Sequence, residues 1–370
     1  MTVRERLKVI VWGPGGVGRA CLKILYDRPE FEIVGVLAHS QSKDGVDVGE
    51  FLGRPHIGVR MSTDREAVLA LNADVVLYTG APPIDHAAMD EDMIQLLASG
   101  KNVINSTAYF YPHHHGPEYV ARLEAACRKG RTSLHGSGEQ PGFFFERIAA
   151  ALTTMCSELD MLSMEETVNV SGSSLQTMGV FGVGQPLEVA LAPNPVRDQL
   201  LLTVYSEQLS MVGKSLFGKP VETVMDVEYI VADQTITLPT GTIEKGNVRD
   251  LVFIYTGAVD GTPRLKTTVR WLFSCDERWI IAVEGKPVSI SADISAFASL
   301  LDKSHARLGD DTALTSYITA MPMIQAIPVV YAAEPGLVYP SLFSHYMTDF
   351  RGLSATGSIL GIPGTPERSY

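Results

Sequence analysis

A glycine-rich turn between a strand and a helix constrains this chain more than any other feature. Val9 to Trp12 form a short apolar run of strand type. Gly13-Pro14-Gly15-Gly16-Val17-Gly18 follows as Gly-x-Gly-x-x-Gly, and Ala20 to Tyr26 continue with helical spacing. Glycine at such a strand end lets the backbone approach a pyrophosphate without a Cβ clash. The helix behind it offers unpaired N–H groups and a partial positive charge to the same anion. In this setting the pattern predicts a dinucleotide site built from Gly13, Gly15, Gly16, Val17, Gly18 and Arg19. The competing reading is a tight turn needed only for packing.

Strand and helix signals alternate through the first part of the chain. Phe31–Ala38, Asp74–Tyr78, Asn102–Asn105 and Thr132–His135 are apolar strands. Ile84–Ser99 and Pro117–Lys129 read as helices closed by Gly100 and Gly130. Continuous apolar strands separated by helices mean a parallel sheet covered on both faces, a Rossmann-type domain over residues 1–140. After a helix near Phe143–Thr154 the pattern changes. Met161–Val170, Val221–Val231, Leu251–Val259, Arg264–Ser274 and Trp279–Val283 are longer strand candidates, several alternating apolar and polar as in Lys266–Phe273. That alternation suits an antiparallel sheet with one covered face. The fold class is therefore α/β: an N-terminal parallel sheet, then a second α+β domain over 141–330 with a largely antiparallel sheet. Thr312–Ala333 is helix-like but interrupted by Pro322 and Pro328, and the tail 331–370 is expected to pack back on the first domain.

A chain of 370 residues with 45% hydrophobic and 19% charged residues can bury a sizeable core. Its formal net charge of −12 argues against a nucleic-acid partner. Only the short, mainly polar Met1–Arg6 precedes the first strand, so no signal peptide is expected, and no apolar run is expected to span a membrane. Cys21, Cys127, Cys156 and Cys275 are scattered without a Cys-x-x-Cys pair, as expected of buried reduced thiols in a cytoplasmic protein.

Dinucleotide sites that prefer NAD place an acid on the ribose about 20 residues past the glycines. Here that stretch reads Ala38-His39-Ser40-Gln41-Ser42-Lys43. A hydroxyl, an imidazole and a lysine can hold a 2′-phosphate that a carboxylate would repel. His39, Ser40 and Lys43 thus favour NADP(H), with NAD(H) possible if Lys43 is merely solvated. Thr79, Gly80 and Ala81, at the end of the Asp74–Tyr78 strand, complete the expected cofactor set.

Several segments resemble one family. The turn Gly13–Arg19 is similar to the start of dihydrodipicolinate reductase-like proteins. Ser40-x-x-Lys43-x-Gly45-x-Asp47-x-Gly49, Gly136-Ser137-Gly138-Glu139-Gln140-Pro141-Gly142-Phe143, and Ala326-Ile327-Pro328 with Pro335-Gly336 resemble the branch holding 2,4-diaminopentanoate dehydrogenase and the native amine dehydrogenases. The resemblance implies a homodimer, a substrate pocket between domains, and hydride exchange between nicotinamide C4 and a carbon bearing nitrogen. It also implies a glutamate just before a Tyr-Pro pair that activates water or ammonia.

The chain departs from that pattern. Aligned on Tyr111-Pro112, the acidic positions fall on Thr107 and Ala108, and neither titrates. Glu139 is the candidate replacement, as proton relay or, in the competing reading, as a helix-terminal cap. Tyr109, Gln140, Phe143, Phe144, Met178 and Phe181 are the expected pocket residues, the last two in a glycine-rich segment, 176–184, that reads as a loop over an apolar substrate or as an ordinary connection. His113-His114-His115 lacks ligand spacing and reads as a solvated loop, so no metal is expected. His135 reads as completing a strand end. The expected activity is hydride transfer at the C–N carbon of a small amine or imine. The alternatives are a reductase of C=O or C=C bonds on the same fold and a silent NADP-binding regulatory protein.

Overall fold

The computed structural model describes residues 6–80, 86–171, 173–238, 240–296, 312–340 and 346. The chain opens with β1 (Leu7–Trp12), α1 (Gly16–Tyr26), β2 (Phe31–Leu37), α2 (Val48–Phe51), α3 (Arg65–Leu69) and β3 (Val75–Tyr78). There follow α4 (His86–Ala98), β4 (Asn102–Asn105), α5 (Pro117–Gly130) and β5 (Ser133–Gly136). A π-helical segment, Phe144–Ala149, leads through α6 (Ala150–Leu152) to β6 (Glu158–Asn169), α7 (Leu175–Gly179), α8 (Leu187–Ala190) and α9 (Pro195–Phe217). Next come β7 (Glu222–Val231), β8 (Ile236–Leu238), β9 (Gly241–Ile243), β10 (Val248–Val259) and β11 (Thr262–Leu272). Last are β12 (Arg278–Lys286), β13 (Ile290–Ser295), α10 (Leu314–Ala332) and β14 (Gly336–Leu337).

Two compact units result: Met1–Phe143 with Leu301–Tyr339, and Phe144–Leu300 with Pro340–Tyr370. Among the described residues, the first holds a six-stranded sheet in the order β14-β5-β4-β3-β1-β2, parallel throughout. Its alternation is used twice over. Val9, Val11, Val75, Leu77 and Ile104 turn to the face covered by α1 and α10. Ile10, Trp12, Val76, Tyr78 and Val103 turn to the face carrying Met89 and Met93 of α4 and Leu123 and Cys127 of α5. Burial on both faces is why these strands read as unbroken apolar runs.

The second unit carries a six-stranded sheet in the order β13-β12-β6-β11-β10-β7, in which only the β6–β11 pair is parallel. One face is covered by α9 on β10 and by the π-helical segment on β6 and β12. Leu162, Met164 and Glu166 of β6, Phe253 and Tyr255 of β10, Thr267 and Val269 of β11, and Trp279 and Ile281 of β12 are buried on it.

Five expectations need correction. The 141–330 domain boundary fails at its far end, because Ala320, Met323, Ile324, Ile327 and Val330 of α10 belong to the core of the first unit. The helix also runs through Pro322 and Pro328. Each interior proline costs about 3 kcal/mol, offset by burying four large apolar side chains at about 1.5–3 kcal/mol each. By length and composition alone α10 reaches what a membrane span needs, with mean hydropathy 1.2 over an 18-residue window, a length the sequence reading did not credit to it; a core helix meets the same measure. The tail divides: β14 pairs with β5, whereas Tyr346 N–H donates to Thr153 Oγ1 in the second unit. Phe143–Thr154 is not one regular helix but the π segment, α6 and a 3-10 turn. The long α9 and the strands β8, β9, β13 and β14 had no counterpart in the sequence reading.

Asp47 anchors the segment between β2 and α2. Its carboxylate accepts from the backbone N–H groups of Gly49 (2.8 Å), Gly58 (2.9 Å) and Ile57 (3.2 Å). Burial acts to raise its pKa, but the three N–H donors together hold it below the ordinary 3.8. A depressed folded pKa adds stability above the unfolded value that is lost as pH falls through the folded one. Asp47→Asn should therefore lower Tm by about 3 °C or more at pH 7. The two Tm curves should converge as pH falls through the lowered folded pKa, which a thermal melt series from pH 7 to pH 2.5 checks.

Candidate dinucleotide and catalytic site

The turn after β1 is formed by backbone packed on backbone. Gly13 adopts φ +99°, and a Cβ there would meet Gly80 N and Cα at 2.6 Å. At Gly18 a Cβ would lie 2.2 Å from the Gly13 carbonyl oxygen. Only glycine allows α1 to start so close to the end of β1. The Thr79 hydroxyl donates to Gly13 O at 2.8 Å, so Thr79 secures the turn from β3. Gly15 and Gly16 are exposed, and a Cβ on Gly15 would meet no atom within 4 Å. The free N–H groups at the start of α1 are thus presented at an open surface, the arrangement a diphosphate requires.

Beyond β2, His39 and Ser40 are exposed and Ser40 shares a 2.7 Å hydrogen bond with Ser42. Lys43 Nζ donates to Pro14 O at 2.7 Å and lies 5.1 Å from the centre of the Phe51 ring. The Arg19 guanidinium lies 5.4 Å from the same centre. Burial, and then the Arg19 charge, lower the Lys43 pKa. Two cations held on one ring beside the glycine turn make an anion-favouring patch. Val17 is half-buried and packs against the first core; Ala81 lies outside the described residues.

After β4 the Asn105 side-chain oxygen accepts from Thr107 N (2.7 Å), Ala108 N (3.0 Å) and Thr107 Oγ1 (3.0 Å). The segment carrying Thr107 and Ala108 is a turn tied to its own strand end. Tyr109 follows with φ +64°, a costly conformation for a bulky residue. Tyr109 corrects the expected pocket: it is 1% exposed, packed in the core, and its phenol donates to Asp90 Oδ1 at 2.7 Å. Tyr119 donates to the same oxygen at 2.6 Å. Asp90 was not anticipated, because nothing in an α4 sequence marks which acid two distant tyrosines will reach.

The 136–143 motif is explained by that packing. A Cβ at Gly136 would meet the Tyr109 carbonyl and Phe110 N at 2.5 Å, so the two loops lie backbone to backbone. Ser137 Oγ is fully buried with no hydrogen-bond partner among the described residues. Glu139 is 7% exposed, Gln140 half-buried and Phe143 half-buried. From α10, Ser316 Oγ approaches the Cβ position of Gly16 (2.9 Å) and Thr319 Cγ2 that of Gly138 (3.6 Å). These two residues stand one helical turn apart, about 5–6 Å between Cβ atoms. The glycine turn and the loop bearing Glu139 therefore meet along α10. His135 Nδ1–H donates to Val338 O at 2.8 Å at the strand end, and His113, His114 and His115 are exposed.

The remaining pocket candidates lie in the second unit. Phe144 stacks on Trp279 at 4.2 Å, Phe181 meets Trp271 edge-on at 5.3 Å, and Met178 is 4% exposed. The expected glycine loop is instead α7 and an anchored turn, with Gly184 N–H donating to Val248 O and Gly184 O accepting from Asn247. Burial pushes the Cys21 thiol up to about 12 and the Cys127 thiol up to about 11, which favours the protonated form of both.

Glycine turn, parallel sheet and strand order define a dinucleotide-binding α/β domain joined to a second, mixed-sheet unit. Comparison with known proteins agrees with the resemblance drawn from the motifs. Residues 7–110 match the family described as dihydrodipicolinate reductase, N-terminus. An amine dehydrogenase of Streptomyces virginiae is 25% identical over 352 residues, covering 90% of this chain and 94% of that protein. The 2,4-diaminopentanoate dehydrogenase of Acetoanaerobium sticklandii is 23% identical over 273 residues, 71% of this chain and 75% of that protein. The amine dehydrogenase structure from Mycobacterium smegmatis has the same fold, with TM-score 0.71 at 21% identity, covering 92% of this chain and 97% of that one.

The turn separates two kinds of glycine. Gly15→Ala should leave Tm within about 1–2 °C, since its Cβ meets no protein atom, yet weaken dinucleotide affinity by about 10-fold or more by obstructing the approach. Gly18→Ala should lower both. Calorimetric titration beside thermal melts checks the pair.

Proposed function

We propose that the chain is an NAD(P)-dependent oxidoreductase exchanging hydride at the C–N carbon of a small, mainly apolar amine or imine. The observation that carries this reading is the diphosphate cradle at Gly13–Gly18, in a chain that aligns along 90% of its length with an amine dehydrogenase. A bound nicotinamide supplies the hydride acceptor in one direction and the donor in the other. The cradle fits such a group through the free amides of α1, the open surface at Gly15 and the buried Ser137 hydroxyl beside Glu139.

In the oxidative direction the C–H bond breaks with its electron pair leaving as hydride, and the nitrogen lone pair closes a C=N bond. Water then adds, and a carbonyl compound and ammonium depart; because the amine enters in its ammonium form, freeing the nitrogen lone pair releases one proton per turnover. Proton traffic therefore accompanies every turnover. Glu139 is our candidate for it: a buried carboxylate on the loop that meets the glycine turn along α10. The Arg19–Lys43 pair with Ser40 and His39 supports a preference for NADP(H), the 2′-phosphate settling where two cations otherwise repel. On the exposed face of β7, Val224 at 61% and Ile230 at 36% stand in one row with Glu222, Asp226 and Glu228, and the two apolar side chains support a homodimer through the open sheet face. Buried thiols support a cytoplasmic location.

A second reading, reduction of C=O or C=C bonds, is favoured by one observation: the turn at Thr107 and Ala108 carries no carboxylate. NADPH oxidation with ketones, with and without ammonium, decides. Ammonium dependence is expected, equal rates without it favour the second reading, and cofactor binding with no turnover makes the protein a silent binder. Glu139→Gln should lower kcat by about 100-fold or more; a rate within a few-fold of wild type removes Glu139 from the mechanism. Lys43→Ala should reduce the NADP-over-NAD affinity ratio by about 10-fold, measured by titrating both cofactors.

A further inference from the structure

The glycine turn is open on one side and bounded on the other, and the bounding group is a hydroxyl. A Cβ on Gly15 would meet no atom within 4 Å, whereas one on Gly16 would lie 2.9 Å from Ser316 Oγ. The Ser316 Cβ stands 4.0 Å from the same point, an ordinary contact distance. Glycine at position 16 therefore makes room for a single oxygen, brought by α10 from late in the chain.

That oxygen is unspent. Serines and threonines inside helices commonly donate to the carbonyl four residues back. Thr319 of α10 does so to Thr315 O at 2.9 Å, and Ser215 of α9 to Met211 O at 2.9 Å. Ser316 lies in the first turn of α10, and the fourth residue before it, Thr312, precedes the Ala313 N-cap. Among the described residues the half-buried Ser316 hydroxyl makes no hydrogen bond. Packing alone does not call for it. Alanine at 316 would keep the ordinary contact with Gly16 and is the better helix former.

The hydroxyl is also held in place. Ala320, Met323, Ile327 and Val330 seat α10 in the core of the first unit. Lys23 of α1 donates to Thr312 Oγ1 at 2.7 Å just ahead of the helix. A donor fixed by packing before its ligand arrives loses little entropy on binding. Beside it, Gly16, Val17 and Gly18 begin α1, so their N–H groups have no acceptor within the helix. A diphosphate resting on those amides brings negative oxygens to a place where an O–H has no acceptor.

We propose that Ser316 is a diphosphate ligand of the bound dinucleotide, its O–H donating to a phosphate oxygen held by the first amides of α1, and that Gly16 is glycine to admit that hydroxyl. The inference rests on the dinucleotide reading of the turn and deepens it: the cradle is completed by a helix encoded after the second sheet. It also divides the recognition. Ser316 serves the diphosphate that NAD(H) and NADP(H) share, whereas Lys43 bears on the 2′-phosphate that distinguishes them.

The test titrates the full chain calorimetrically with NADP, NAD and 2′-AMP, the last carrying a 2′-phosphate but no diphosphate. Ser316→Ala should weaken NADP and NAD alike by about 10-fold and leave 2′-AMP within about 2-fold. Its Tm should stay within about 2 °C of wild type. Gly16→Ala reaches the same group from the other side, because the new Cβ displaces the hydroxyl. Combined with Ser316→Ala it should cost less affinity than the product of the two separate losses. Unchanged dinucleotide affinity in Ser316→Ala, or an equal loss for 2′-AMP, overturns the proposal, and losses that simply multiply overturn the role given to Gly16. The two readings fail distinguishably. A wild type that binds both dinucleotides no tighter than Ser316→Ala sinks this inference alone, and a wild type that binds neither sinks the dinucleotide reading with it.

Discussion

The first unit depends on a contact that contains no side chain. Where β1 hands over to α1, the Gly18 Cα faces the Gly13 carbonyl so closely that a single added carbon would sit 2.2 Å from its oxygen. Helix and strand are thereby held at a spacing that aims the unpaired amides of α1 at the turn. Thr79 grips the same carbonyl, and Gly80 abuts Gly13, so the end of β3 is fixed by the same few atoms. Ser316 and Thr319 of α10 then bring the Gly138 loop to this point. Nearly every contact that positions the candidate site is made to backbone, where a substitution has little room to compensate.

Carboxylates are distributed over the fold in a way the local chemistry makes intelligible. The turn after β4 is stiff packing: Asn105 satisfies its amides, Tyr109 is turned inward by its left-handed backbone, and its phenol is spent on Asp90. An acid at Ala108, 2% exposed, would have to displace core. Glu139 and Glu166 occupy different surroundings, one in a glycine-rich loop of the first unit, the other among indoles on a sheet face of the second.

What was legible follows from how local each cause is. The parallel strands announced themselves because burial on both faces leaves no polar positions. The glycine turn was legible because its atoms come from six consecutive residues. By contrast α9 carries an Asn194 cap, Pro195 in its first turn and a left-handed Gly218 at its end, yet its apolar residues make no clear stripe. In α10 the prolines read as interruptions until long-range burial is known. Tyr109 was misplaced because its direction is decided by Asp90 and Gly136, far away in sequence. Glu165 and Glu166 look alike as a pair, but strand alternation sends one out to Arg270 at 2.9 Å and the other into the core. Only the register of β6 tells them apart.

The placement of α10 has a temporal meaning. The first unit is interrupted: one sheet face is covered only in part, by α1, until a helix more than 170 residues downstream of Phe143 arrives to complete it. During synthesis, domains emerge and fold in order from the N-terminus. Here the intervening unit has all its main strands exposed from the ribosome before the nucleotide cradle can gain its final neighbour. A chain ending ahead of Ala332 would hold every strand of the second sheet while its first unit still shows an incompletely covered apolar surface, a ready target for chaperones.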